Sequence, residues 1–209
     1  MFDSAISKDT KTILALLRER DFPLEAYLAG GTGCALQLGH RFSFDLDFFI
    51  EKEFDVEKIL RVFQNIPKFK CEQIKWGTLL GKFKEIGFSL FYYPYPLIYP
   101  TKIFQQVRIA DLQDIAAMKL AAIAARGRKR DFIDLYFILQ NSLDWKTIFN
   151  TYEKKYRNLS EAFLHLMKSL SYFEDAEKDT IPLMIEKVRW AEVKKFFEKE
   201  TKRITEKLI

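Results

Sequence analysis

Residues 91–100 read FYYPYPLIYP, a run that a regular strand cannot cross. Each proline removes a ladder donor and restricts the residue before it, so the run predicts an extended connection leaving a sheet. The chain changes texture across it. Upstream, helical periodicity at about Ser4 to Arg20 and Val56 to Asn65 alternates with strand-like runs at Ala26 to Ala29, Phe44 to Ile50, Glu72 to Phe83 and Ile86 to Tyr93. Beyond Asp111 the pattern is almost wholly helical. Asp111 is placed to cap a helix that Gly127 stops, and Asp131 to start the next. Later helices are expected at about Asp144 to Tyr156, Ser160 to Tyr172 and Ile185 to Leu208. The expected division is an α+β domain over 1–110 followed by a helical bundle over 111–209.

Composition narrows the class. With 48% apolar and 30% charged residues in 209, the chain reads as globular and not disordered, and its 20 phenylalanines predict aromatic-rich packing. A formal net charge of +5 favours polyanionic partners, although a solvated lysine-rich surface accounts for it equally well. The two cysteines, Cys34 and Cys71, lack metal-ligand spacing and read as small core residues of a reducing compartment. Asp3, Lys8 and Asp9 interrupt any N-terminal signal, and the apolar stretches fall short of the roughly 20 residues a membrane helix needs. A cytoplasmic protein without membrane partners is expected.

The stretch YLAGGTGCALQLGHRFSFDLDFFI over residues 27–50 carries the chemistry. A strand ending at Ala29 runs into Gly30, Gly31, Thr32 and Gly33 and then a short helix, a place where phosphate can approach backbone N–H groups. The dinucleotide fingerprint fails because position 36 is Leu, and no P-loop ending follows. A tight structural turn explains the glycines as well. In a strand, Asp45 and Asp47 project from one face while Phe44, Leu46 and Phe48 project from the other. Side-by-side carboxylates repel unless a cation compensates, and hard oxygens suit Mg²⁺ carried by a nucleoside triphosphate. Two solvated carboxylates on an exposed strand face are the alternative.

Taken together, Gly30-Gly31-Thr32 and His40-Arg41-x-Ser43-x-Asp45-Leu46-Asp47 resemble the nucleotidyltransferase family that includes AbiEii-type toxins of type IV toxin–antitoxin systems, within the DNA polymerase β-like superfamily. A second block, from Asp114 through Met118-Lys119 and Arg126 to Arg130-Asp131-x-x-Asp134-Leu135, is similar to that family's downstream signature. The resemblance implies a polymerase β-like domain with a mixed sheet, to whose active site residues 111–140 contribute. It implies that Gly30, Gly31 and Thr32 hold the triphosphate, Asp45 and Asp47 bind Mg²⁺ (or Mn²⁺), Lys119 meets phosphate or base together with Arg126, and Asp131 is a further catalytic residue. Helix capping competes for Asp131 and Asp134, and a snorkelling surface role for Lys119. The third carboxylate usual on a neighbouring strand is missing from IGFSLFYYP, with Glu85 and Glu72 the nearest substitutes. His40 and Arg41 read as phosphate contacts or loop-ordering residues, and His165 as a partly buried helix residue.

The implied reaction is Mg²⁺-dependent transfer of a nucleoside monophosphate from a triphosphate to an RNA (tRNA-like) or protein hydroxyl, toxin-like and with an antitoxin as possible partner. A catalytically weak nucleotide- or RNA-binding module on the same scaffold is the alternative. A helical interaction protein with a coincidental motif is the third reading.

Overall fold

A computed structural model describes residues 1–18, 22–64 and 66–206. The predicted helix ends at Arg20, Asn65 and Leu208 lie outside them. Among the described residues seven strands form one mixed sheet in the order β3-β4-β5-β2-β1-β7-β6. They are β1 (Tyr27–Leu28), β2 (Leu46–Ile50), β3 (Phe69–Lys75), β4 (Thr78–Phe83), β5 (Ile86–Tyr92), β6 (Lys102–Phe104) and β7 (Val107–Ile109). β2 runs parallel to β5 and β1 parallel to β7, and the remaining pairings are antiparallel.

One face of the sheet is closed by α1 (Lys8–Arg18) and α3 (Val56–Gln64), which bury Leu14, Leu17 and Phe63 against Leu46, Phe48 and Phe88. Phenylalanine rings meet there largely edge-on, Phe63 to Phe69 at 4.9 Å and Phe22 to Phe48 at 4.8 Å, the offset that ring quadrupoles favour. A second core joins Tyr27, Ala29 and Cys34 to Ile115, Leu120, Phe132 and Phe197. It unites α4 (Leu112–Arg126), α5 (Lys129–Asn141), α6 (Trp145–Tyr156), α7 (Leu159–Leu170), the short α8 (Glu174–Glu177) and α9 (Trp190–Glu206) with α2 (Gly30–Leu38).

The proline run leaves the sheet as expected and then returns to it. The β6–β7 hairpin was not anticipated, because three-residue strands carry too little alternation to register. A buried carboxylate fastens the run: Asp114 accepts the N–H groups of Ile98 and Tyr99 and pairs with Lys155 at 2.9 Å, while Lys155 donates to the Pro96 carbonyl at 2.6 Å.

Four sequence expectations need correction. The run Glu72 to Phe83 is two strands, folded back at Trp76-Gly77, with Gly77 at φ +61° in the turn. Phe44 is 47% exposed and not in the core, since β2 begins only at Leu46. Helix α5 begins at Lys129 with Arg128 at the N-cap, so Asp131 is not its cap; its carboxylate is drawn instead to Lys119 and Arg126. Residues 185–189 are not helical, because the Ile185 and Glu186 N–H groups bond the His40 carbonyl, and α9 starts at Trp190. The expected caps at Asp111 and Gly127 are present, and Asp144 caps α6 at its expected start.

Candidate active site

A cavity of about 660 Å³ opens between β2 and β5 on one side and α4 on the other. Gly30, Asp45, Asp47, Lys119, Arg126, Arg130 and Asp131 all border it. The two sequence blocks, separated by more than sixty residues, therefore meet at one place.

The glycine pair has a geometric reason. Gly30 opens α2 at φ +58°, and a Cβ there would lie 2.8 Å from Asp47 Oδ2. A Cβ on Gly31 would collide with the Arg41 guanidinium. The pair thus lets a carboxylate and a guanidinium press against the first turn of a helix, whose leading N–H groups have no intrahelical acceptor. Thr32 is buried and faces away from the opening. Its hydroxyl donates to the Asp45 carbonyl and lies 2.9 Å from Ser43 Oγ, which leaves its main-chain N–H as the group at the helix N-terminus. Gly31 and Thr32 themselves do not border the cavity.

Asp45 and Asp47 stand at the start of β2, half-exposed and half-buried respectively. Burial and the charge of Asp45 push the Asp47 carboxyl above its ordinary range, partly offset by a hydrogen bond from Ser89 and by Arg130 and Lys119. Ser89 is the residue paired with Asp47 on β5, where a third carboxylate was sought. Glu72 instead pairs with Lys82 at 2.8 Å, and neither Glu72 nor Glu85 borders the cavity. Among the described residues Asp45 has one ion-pair partner, Arg130, at 3.6 Å. A hard divalent cation fits this seat: both donors are carboxylate oxygens, and the space before them is kept by glycines. A Cβ on Gly87 would lie 2.7 Å from Asp45 Oδ1, as one on Gly30 would crowd Asp47.

The second carboxylate pair is satisfied within the protein. Lys119 reaches Asp131 at 2.8 Å and Asp134 at 2.5 Å, and Arg126 donates to Asp131 at 3.1 Å. Arg41 holds both oxygens of Asp134, at 2.6 and 2.9 Å, and His40 Nε2 lies 2.8 Å from it. All of these groups except Arg126 are buried. Burial opposes every charge here, but the partners outweigh it. Arg41 and Lys119 hold the Asp134 carboxyl well below the usual range, Lys119 and Arg126 lower Asp131, and the two aspartates keep the Lys119 ammonium above its own. Of the two uses foreseen for His40 and Arg41, ordering the loop is the one their geometry displays. Sequence reading placed Asp134 in the second block but could not see it as the centre of this network, since its bond to Arg41 spans 93 positions. Cys34 lies close to His40 and Asp134, yet with Arg41 and Lys119 already on Asp134 the trio is not a metal seat. His165 is exposed on α7 rather than partly buried, with Nε2 3.2 Å from the Ala124 carbonyl.

The comparisons agree with this architecture. The fold, a mixed sheet with a helical C-terminal half, resembles nucleotidyltransferase toxins. MenT4, a nucleotidyltransferase toxin of Mycobacterium tuberculosis, superposes with a TM-score of 0.60 at 21% identity over 88% of this chain and 79% of its own. JHP933 from Helicobacter pylori gives 0.52 at 18% identity, over 97% of each chain. An uncharacterized protein of Aquifex aeolicus, aq_aa25, is 40% identical over 185 residues, 86% of this chain and 88% of its own. A family model described as nucleotidyl transferase AbiEii toxin, type IV TA system, matches residues 85–208. The chain belongs to the AbiEii nucleotidyltransferase toxin family. The match begins beyond Gly30 and Asp47, so the geometry of those residues stands as an independent observation. No helix among the described residues is long and apolar enough to cross a membrane.

Proposed function

We infer that the chain transfers a nucleoside monophosphate from a triphosphate to an acceptor hydroxyl. One observation carries this: Asp45 and Asp47 form a carboxylate pair open to the cavity and set against the N-terminus of α2, and the one ion pair these carboxylates make among the described residues is the long 3.6 Å contact of Asp45 with the half-exposed Arg130. Asp45 and Asp47 would hold Mg²⁺ or Mn²⁺. Bound there, the ion would supply Lewis-acid polarisation of the phosphate and offset charge on the departing pyrophosphate.

The protein's own groups do the rest. The leading N–H groups of α2 orient the phosphate chain. Arg126 and Arg130, half-exposed at the cavity, neutralise the β- and γ-phosphates, and Lys119 contributes from behind through a charge fixed by Asp131 and Asp134. Phe91 and Tyr93 on one wall and Met118, Ala121 and Ala122 on the other form an apolar slot for the nucleoside. The acceptor oxygen attacks the α-phosphorus in line, the bond to the β-phosphate oxygen breaks, and the hydroxyl proton passes to solvent. The strand-rich half, 1–110, supplies the carboxylates and glycines, and the helical half, 111–209, the cations. The net positive charge favours RNA as acceptor over protein, and membership of a type IV toxin–antitoxin family makes an antitoxin the natural regulator.

The test is incubation of each α-labelled nucleotide with total RNA and Mg²⁺. Wild-type protein is expected to label RNA, and Asp45→Asn and Asp47→Asn each to lower transfer by roughly a hundredfold or more, the scale on which one transition-state electrostatic group acts. Transfer retained in both variants contradicts the assignment. Mg²⁺-dependent nucleotide binding without transfer in wild type would favour the binding-module reading, with the absent third carboxylate as its cause.

A further inference from the structure

Beyond the part faced by α4, the sheet that floors the cleft continues as an exposed face on β4 and β3. Residues directly opposite one another in neighbouring antiparallel strands share a face, so register extends the cavity outward from β5. Ser89 pairs with Leu80 and both border the cavity, while Gly87, beside Asp45, pairs with Lys82. One strand further, Lys82 pairs with Lys70, Leu80 with Gln73 and Thr78 with Lys75. Lys70, Gln73, Lys75 and Lys82 are all exposed, whereas the opposite face of these strands buries Leu79 and Phe83 beneath α1 and α3. A continuous strip therefore runs from Asp45 across Gly87 and Lys82 to Lys70 on the edge strand, about 14 Å at the usual strand spacing, with Lys75 further along that edge.

Two features of the strip are unexplained by folding. Lys70 directly opposite Lys82 is a like-charge pair, which destabilises a sheet, and Glu72 answers only Lys82, at 2.8 Å. Trp76, next to Lys75 at the tip of the β3–β4 hairpin, is 76% exposed, with its ring 5.3 Å from that of Tyr92. A basic strip that ends at an exposed aromatic ring on the hairpin tip matches the way single-stranded nucleic acid is held, phosphates on lysines and a base stacked on a ring.

We propose that this strip is the docking track for the acceptor, a single RNA strand whose 3′ hydroxyl is delivered across Gly87 to Asp45 and Asp47. The proposal rests on the reading of that pair as the transfer site. Gly87 keeps the passage open, since any side chain there would strike Asp45.

The test uses a short single-stranded RNA, fluorescently labelled at its 5′ end, followed by anisotropy across a salt titration, with Mg²⁺–nucleotide binding measured separately. The variants are Lys70→Ser with Lys75→Ser, Trp76→Ala, and a control with Lys195→Ser and Lys199→Ser on the exposed side of α9. The strip variant is expected to bind RNA roughly tenfold or more weakly at low salt, with the slope of log affinity against log salt reduced by about 1.4, the loss of two phosphate contacts. Trp76→Ala should weaken binding by roughly tenfold with the slope unchanged. The control should bind like wild type, and all three should bind nucleotide normally. Equal losses in strip and control variants, no loss in the strip variant, or no RNA binding by wild type would overturn the track. So would label transferred to a protein at wild-type rate by the strip variant. RNA binding that depends on the strip in a protein that binds no Mg²⁺–nucleotide would support the track while sinking the reading of the carboxylate pair.

Discussion

Asp45 and Asp47 face one another's charge in an open cavity, where their one ion pair among the described residues is the 3.6 Å contact of Asp45 with Arg130, whereas Asp131 and Asp134, just behind, are gripped by Lys119, Arg126, Arg41 and His40 at 2.5–3.1 Å. The consequences run in opposite directions: the Asp47 carboxyl is pushed up and the Asp134 carboxyl held well down. Breaking a buried, satisfied pair strands a charge, while removing a charge from a repelling pair relieves it. The protein thus carries one carboxylate pair that its fold requires and one that its fold tolerates.

The largest effect should follow from attacking the satisfied pair. Asp134→Ala leaves Arg41 and Lys119 short of a buried anion, and a loss of about 3–5 kcal/mol is expected. For a chain of this size that is a fall in melting temperature of roughly 6–20 °C by calorimetry. A change within about 1 kcal/mol, the measure of a surface pair, would place Asp134 outside the structural core. The same residue predicts a pH dependence. Its folded pKa is lowered, so its contribution is fully present above the unfolded value near 3.9 and is lost as pH falls through the lower folded value. The gap in stability between wild type and Asp134→Ala should therefore narrow below about pH 4, and a gap that widens on acidification would reverse the assignment.

Lys119→Met lies between the two pairs. It is expected to destabilise less than Asp134→Ala, because Arg126 and Arg41 remain on the two aspartates. It should also weaken triphosphate binding more than monophosphate binding, since in the proposed reaction the lost charge serves the β- and γ-phosphates. Titration calorimetry with both ligands decides this, and equal losses would confine Lys119 to holding Asp131 and Asp134. The smallest change is expected at the open pair, where Asp47→Asn should leave the melting temperature unchanged or slightly raised.

What could be read from the sequence follows the range of each interaction. The D-x-D alternation, the glycine turn and the caps at Asp111 and Gly127 are local, and each was legible from spacing within a few residues. The partners of Lys119 were not. Asp131 and Asp134 looked like capping residues because capping is the local use for an acid at a helix start, and only the tertiary fold brings Arg41 and His40 to Asp134. The extended strap at 181–185 was opaque for a related reason: the Phe42 N–H bonds to Leu183, and the His40 carbonyl takes the N–H of Ile185, bonds no pattern in the strap announces. Nor could sequence reveal that Gly31 makes room for Arg41 and Gly30 for Asp47.

The central claim is that the open pair awaits a cation and the buried pair does not. Thermal unfolding with and without millimolar Mg²⁺, on wild type and on the double variant Asp45→Asn with Asp47→Asn, tests it without depending on turnover. Wild type should gain melting temperature with Mg²⁺, as binding to the folded state alone requires, and the double variant should equal or exceed wild type without the ion and gain nothing from it. A double variant that melts well below wild type in the absence of Mg²⁺, or that still responds to the ion as wild type does, would contradict the account.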